Sequence, residues 1–239
     1  LAWGKYAKTN QPIKFILITL VVFLNFECYK IKPIDLLHPP TMNDLQFPIK
    51  LVFNISSFHN DFSACDANGR TVAYVKQKLF KLKEDISVFT DESQATLNYR
   101  IKADRWIDFS AAYSITNQEG AELGKVARKG WRSIWKAEYF LIDQNERPQY
   151  KIQEENGWIK VLDGLLSEIP ILGLLTGYFF NPSYIVTNND LQPVARLKKE
   201  ASFWGRKFEI TKLAETVHED DERMLLGLMM MVLLERRRG

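Results

Sequence analysis

The chain has 239 residues, 46% hydrophobic and 26% charged, with a formal net charge of +3. That is ordinary globular composition, sized for one large domain or two small ones. The net charge sits in residues 1–41, where five lysines face only Glu27 and Asp35, and residues 42–239 balance acids against bases. A neutral body argues against general nucleic-acid binding, which needs a basic field to neutralise phosphates.

Residues 1–41 read as a leader foreign to the rest. Lys14 precedes an apolar run from Phe15 to Leu24. That run is short against the roughly 20 apolar residues of a membrane span. It has the size of a signal-peptide core, but no small-x-small cleavage site follows. The stretch "KPIDLLHPPT" is Pro-rich and linker-like. Three readings stand: an over-extended reading frame whose true start is Met42, a weak membrane anchor or signal, or part of the fold. Two cysteines, Cys28 and Cys65, are too few for a disulfide framework and lack metal-ligand spacing. They suggest a reducing compartment.

From Phe47 onward apolar residues recur with period two between turn signals. "FSACDANGRTVAYVKQ" predicts a hairpin with its turn at Asp66–Gly69, Asn-Gly after an apolar run being a strong cue. The unit recurs at Tyr113–Trp131, with a turn at Asn117–Gly120, and at Tyr184–Trp204, with a turn near Asn188–Leu191. Val72, Leu123 and Val194 are equivalent, so the copies are offset by 51 and 71 residues. A weaker fourth copy has its turn at Asp143–Arg147. Regular short strands with such turns predict an all-β barrel or sandwich. Irregular spacing makes a propeller a poorer fit. Between the third and fourth copies, Trp158–Pro170 predicts a short helix stopped before Pro170. Ile169–Phe180 reads as a buried strand and loop.

The chain closes on "DERMLLGLMMMVLLERRRG". Met224–Leu234 carries no polar side chain on any face, and such a helix must be buried all round, in protein or in lipid. Acids precede it and Arg236, Arg237 and Arg238 follow it, matching the helix dipole. Eleven residues rise about 16 Å, roughly half a hydrocarbon core of about 30 Å. A tilted six-residue strand spans about 15 Å of barrel height. The segment therefore fits the bore of a β-barrel, with its charged ends emerging at the two rims. Its methionines suit irregular space between strands.

The hairpin "DANGRTVAYVKQKLFKLKEDISVFTDE", with "GKVARKGWRSIWKAEYFLID", "GYFFNPSYIVT" and the closing segment, resembles bacterial LURP-one-related proteins. That family is grouped with the tubby C-terminal domain and the phospholipid scramblases. The resemblance covers Phe47–Gly239. It implies a mainly β fold, a closed antiparallel barrel of about twelve strands around a buried C-terminal hydrophobic helix. The expected organisation is a leader over 1–41 and one barrel domain over 42–239. The resemblance brings no catalytic motif. Phosphoinositide binding is known for tubby relatives, and lipid movement is assigned to scramblase relatives.

The residues themselves carry no Walker loop, GxGxxG, HExxH, GxSxG or CxxC. His38, His59 and His218 lie far apart. Asp220 and Asp221 invite a metal or an acid–base pair, but their place at a helix start accounts for them. Glu154 and Glu155 read as a solvated turn. No cofactor and no metal are expected.

A basic–aromatic stretch follows each main hairpin: Lys76–Lys83, Arg128–Lys136 and Arg196–Lys207. Lysine and arginine beside Trp or Phe suit anionic lipid headgroups at an interface. The candidate contacts are Lys78 and Lys81, then Lys129, Trp131, Arg132, Trp135 and Lys136, then Lys198, Lys199, Trp204, Arg206 and Lys207. Because the units repeat, the stretches are expected to share one rim. The plainer account is that the aromatics face the core while the basic residues keep alternate strand faces wet.

The expected function is a non-enzymatic tubby-like module, cytoplasmic and peripheral to a membrane. It would bind an anionic phospholipid or a protein partner, but no nucleic acid. An N-terminal anchor would apply if residues 1–41 are real. The alternative is a scramblase-like membrane protein with the closing helix in lipid. An enzyme with a site in the barrel mouth ranks last, because a central helix leaves little cavity.

Overall fold

A computed structural model of the chain describes residue 42 and residues 45–54, 61–77, 85–104, 111–129, 138–155, 183–200 and 207–236, with side chains through 234. Among the described residues twelve strands and one helix follow in order: β1 (Ile49–Phe53), β2 (Asp61–Cys65), β3 (Thr71–Gln77), β4 (Asp85–Phe89), β5 (Leu97–Asp104), β6 (Ala111–Asn117), β7 (Glu122–Lys129), β8 (Glu138–Ile142), β9 (Pro148–Glu154), β10 (Ser183–Asn188), β11 (Pro193–Lys199), β12 (Lys207–Lys212) and α1 (His218–Arg236). Each strand pairs antiparallel with its sequence neighbours, and β1 pairs with β12 to close the barrel. Closure leaves no edge strand to protect. The fold is the expected one: mainly β, closed, twelve-stranded, around the C-terminal helix.

Alternation sets the inner face. Ile49, Leu51 and Phe53 are buried on β1, opposite Ile210 and Phe208 of β12 and Ala64 and Phe62 of β2. Phe53 meets the Phe62 ring at 4.7 Å and the Phe208 ring at 6.1 Å between centroids, within the range of favourable aromatic pairs. The same face continues through Val75, Val88, Ile101, Ile115, Val126, Leu141, Ile152 and Val186.

The helix runs through this interior. From Met224 to Leu234 none of the ten apolar side chains reaches 5% exposure and Gly227 is buried, so the all-round apolar segment is buried all round inside the barrel. Gly227 is what lets it pass β7 and β8. A Cβ there would lie 2.3 Å from Leu141 Cδ2 and 3.5 Å from Val126 Cγ2. The helix is longer than expected, because Glu219, Asp220 and Asp221 form its first turn rather than preceding it. Acids are favoured there by the dipole, so the charged lead-in is itself helical.

All four predicted turns are present, and they share one geometry. Asp66, Asn117, Asp143 and Asn188 open them. The opening carbonyl accepts a backbone N–H from Gly69 (2.9 Å), Gly120 (3.1 Å), Glu146 (3.1 Å) and Leu191 (3.0 Å). The opening side-chain Oδ1 accepts the N–H four residues on, from Arg70, Ala121, Arg147 and Gln192, at 2.8–2.9 Å. The fourth residue is left-handed in each, with φ of 78°, 84°, 62° and 60°.

Meander order gives the barrel two unlike ends. The β2–β3, β4–β5, β6–β7, β8–β9 and β10–β11 turns all lie at one, the turn end, and the chain passes from β12 into α1 there. The start of β1 lies there too, and the other strand ends lie at the opposite, far end. The connections that run between them are outside the described residues, as are residues 1–41 and the expected helix and strand within 158–180. Met42, at the expected domain start, is 2% exposed and packs in the main core.

Two smaller expectations change. Cys65 is disulfide-bonded, which runs against the reducing-compartment reading. Glu154 ends β9 rather than lying in a turn, and Glu155, exposed at a bend as expected, is also tied down. Its N–H donates to Ser183 O at 2.8 Å, and its carboxylate accepts from Ser183 Oγ (2.8 Å) and Arg196 Nη2 (2.9 Å). The Ser183 bond foremost, then the Arg196 guanidinium, hold that carboxyl below its usual range against the opposing effect of burial.

Candidate functional site

At the turn end the helix is tied into the wall rather than emerging. Asp221 and Arg223 are 8% and 6% exposed. Arg223 Nε donates to the Leu123 carbonyl at 2.8 Å, and Nη1 donates to Asp220 Oδ1 at 2.9 Å and to Gln149 Oε1. Tyr150 donates to Asp220 Oδ2 at 2.8 Å, and Lys212 donates to Asp221 Oδ2 at 2.8 Å, while Thr216 bonds the other Asp221 oxygen. A Cβ on Gly124, which has φ of 140°, would meet Ile142 O at 2.2 Å and Arg223 Cδ at 3.1 Å. Only glycine fits between that carbonyl and the guanidinium stem. Asp220 and Asp221 are therefore spent on anchoring the helix. Among the described residues no group of three or more His, Cys, Asp or Glu is placed to hold a metal ion. His218 opens the helix, and His59 lies outside the described residues.

These contacts shift two phenols. Burial first, then the bond to Asp220, raises Tyr150 well above its ordinary value of 10.0. Burial and the bond to Glu222 do the same to Tyr99. A raised phenol favours the folded state while the unfolded tyrosine is neutral. That contribution is whole below about pH 10 and is lost as pH rises toward the folded value. A tyrosinate absorbance titration should show these two phenols ionising only together with alkaline unfolding. Free ionisation near pH 10 in an intact barrel would contradict the buried contacts.

At the far end lie the described members of the basic–aromatic set. Lys129 ends β7 and is exposed; Lys198 on β11 is exposed; Lys199 and Lys207, on adjoining β11 and β12, are half-buried. Lys199 stands opposite Phe208 and Lys198 opposite Glu209. Lys129 stands opposite Glu138, which pairs with Lys151 at 2.7 Å. Lys78, Lys81, Trp131, Arg132, Trp135, Lys136, Trp204 and Arg206 lie outside the described residues. The strands that flank them all end at the far end: β3 and β4, β7 and β8, β11 and β12. The stretches are thus joined to one rim, but they are not neighbours on it. In the twelve-strand ring, each flanking pair is four strands from the next.

Two residues that open their stretches were not among the candidate contacts. Lys76, last-but-one on β3, is half-buried and its Nζ reaches back to Gln94 Oε1, in the β4–β5 turn of the turn end, at 3.0 Å. Arg128, on the inner face of β7, is 8% exposed with its guanidinium 6.0 Å from the Tyr139 ring centroid. The repeat aligns Arg128 with Gln77 and Lys199, a signal visible in the sequence only once the strand ends are known. Of the six tryptophans, all but Trp3 fall in the stretches that run between far-end strand ends.

No helix among the described residues is long and apolar enough to cross a membrane. A family model described as LURP-one-related matches residues 71–233, from β3 into α1. A solved X-ray structure of an Arabidopsis thaliana protein is 16% identical, covering 82% of this chain and 94% of that chain with a TM-score of 0.43. No curated protein matches.

Proposed function

Since the chain belongs to the LURP-one-related family, we propose that it is a non-enzymatic, tubby-like barrel that binds anionic phospholipid headgroups at a membrane surface. A protein partner held near that surface is the other occupant the same face would suit. One observation supports the reading above all. The strand ends that flank the three basic–aromatic stretches belong to a single end of the barrel, and three tryptophans, Trp131, Trp135 and Trp204, fall between those ends in the sequence. Trp prefers the headgroup level of a bilayer, and each Lys or Arg near an anionic leaflet contributes about 1 kcal/mol.

The scramblase-like alternative asks the closing helix to enter lipid. That requires ten buried apolar side chains from Met224 to Leu234 to leave the barrel, and it gains no support here. The proposal is of a protein peripheral to the membrane. Vesicle flotation tests the lipid reading. The intact protein should float with phosphatidylserine-containing vesicles and stay behind with pure phosphatidylcholine. Equal recovery from both would overturn it.

A further inference from the structure

Among the described residues three large apolar side chains stand in water: Leu191 is 77% exposed, Leu213 42% and Val217 65%. All three lie at the turn end, on two segments that meet. Leu191 belongs to the β10–β11 turn, and Leu213 and Val217 to the connection from β12 to α1. The Leu213 and Ala214 N–H groups both donate to the Val194 carbonyl near the start of β11, at 2.8 and 3.3 Å. Pro193 and Ala214, also exposed, extend the apolar surface of the two segments. Leu191 is the telling member. Its φ of 60° is left-handed, a conformation that glycine takes freely and a bulky side chain resists. The same position holds Gly69, Gly120 and Glu146 in the other repeat turns, and Gln94 in the β4–β5 turn. Each of those is a glycine or a side chain that water solvates well. A leucine there costs backbone energy and hydration together and adds nothing to the core. A cost of that kind at an exposed site points to use rather than to stability.

Acids rim these segments. Asp190 and Glu219 are exposed and form no ion pair among the described residues. Lys212 is shared between Glu215, whose side chain is 98% exposed, and Asp221, which leaves that trio with a negative charge. Arg147, exposed on the β8–β9 turn to which Asn189 bonds at the Pro148 carbonyl, offsets part of this and leaves the rim negative. We infer that the patch is a docking site for a partner protein, through a segment that carries apolar anchors flanked by lysine or arginine. Apolar surface rimmed by charge is the anatomy of a protein interface, and a negative rim selects a basic segment and steers its approach. An anionic leaflet would be repelled by the same rim. This face is therefore separate from the far-end stretches and does not rest on the lipid reading.

The test is methyl NMR and fluorescence anisotropy on the intact chain. The probe is a short synthetic peptide of leucine and lysine, and its leucine–glutamate counterpart is the control. The lysine peptide should shift the methyls of Leu191, Leu213 and Val217 and leave those of the bore unmoved, and the glutamate peptide should shift none. Leu191→Gly should weaken binding about tenfold, the worth of burying one leucine. Its melting temperature should hold, because glycine takes the left-handed turn freely. Asp190→Asn combined with Glu219→Gln should weaken binding about fivefold and flatten its salt dependence. No binding of the lysine peptide, unchanged affinity in Leu191→Gly, or a clear fall in that variant's melting temperature would each overturn the docking site. Self-association lost in Leu191→Gly would make a second copy the occupant, and shifts of the same methyls by phosphatidylserine vesicles would make it a membrane; either result overturns the basic partner.

Discussion

Leu228→Asp should yield no folded protein. Leu228 is fully buried at the middle of a helix that is itself enclosed by twelve strands. Removing a leucine from such a site costs about 3–5 kcal/mol in lost transfer and packing. The aspartate adds a charge buried among apolar side chains, several kcal/mol more after any relaxation. Domains of this kind hold only about 5–15 kcal/mol in total. The barrel cannot set this cost aside by giving up the helix, since the inner faces of the strands would then line an empty apolar bore. Circular dichroism and size exclusion of the expressed variant decide it: aggregation or a non-cooperative melt is expected. Leu228→Met, which keeps volume and apolarity, should cost less than about 1.5 kcal/mol and keep the barrel. A soluble Leu228→Asp protein with a cooperative melt near that of the unmodified chain would contradict the central-helix architecture.

How far the sequence foretold this fold follows from which interactions are local. The four repeat turns were legible because each opens on Asp or Asn, whose side chain bonds the backbone within four residues. Glycine marks the left-handed position in only two of them. Glu146 and Leu191 hold the same φ, so a glycine rule alone would have missed half the set. The apolar helix was legible from its even composition, and its place in the bore from length. Its true start was not, because the acids that begin it satisfy a dipole whether they sit inside or outside the first turn. Arg223 was invisible for a different reason. Its partners are 100 and 74 residues away at Leu123 and Gln149, and nothing local singles it out. That the strands flanking the basic stretches end at one rim followed from repetition. Their even spacing did not, since it also depends on β4 and β5, whose turn opens on Asp91 and is left-handed at Gln94 but belongs to none of the repeat copies.

Arg223→Met should be the costliest change at the turn end. The guanidinium is buried, and it serves three acceptors in different directions: a strand carbonyl on β7, a glutamine on β9 and a carboxylate on its own helix. Methionine keeps the stem that packs over Gly124 but removes all the donors. Asp220 then keeps only the Tyr150 hydroxyl against burial of its charge. Breaking one partner of a buried pair costs about 3–5 kcal/mol. At about 2–4 °C per kcal/mol for a chain of this size, the melting temperature should fall by about 10 °C. Lysine should rescue little, because one ammonium cannot reproduce a planar fork that reaches two strands at once. Adding Asp220→Asn to Arg223→Met should cost less than the sum of the single changes, since the second substitution removes the charge the first left stranded. Additive losses in that cycle would mean that Arg223 and Asp220 act independently, the guanidinium holding the helix through the Leu123 carbonyl and Gln149 rather than through the carboxylate.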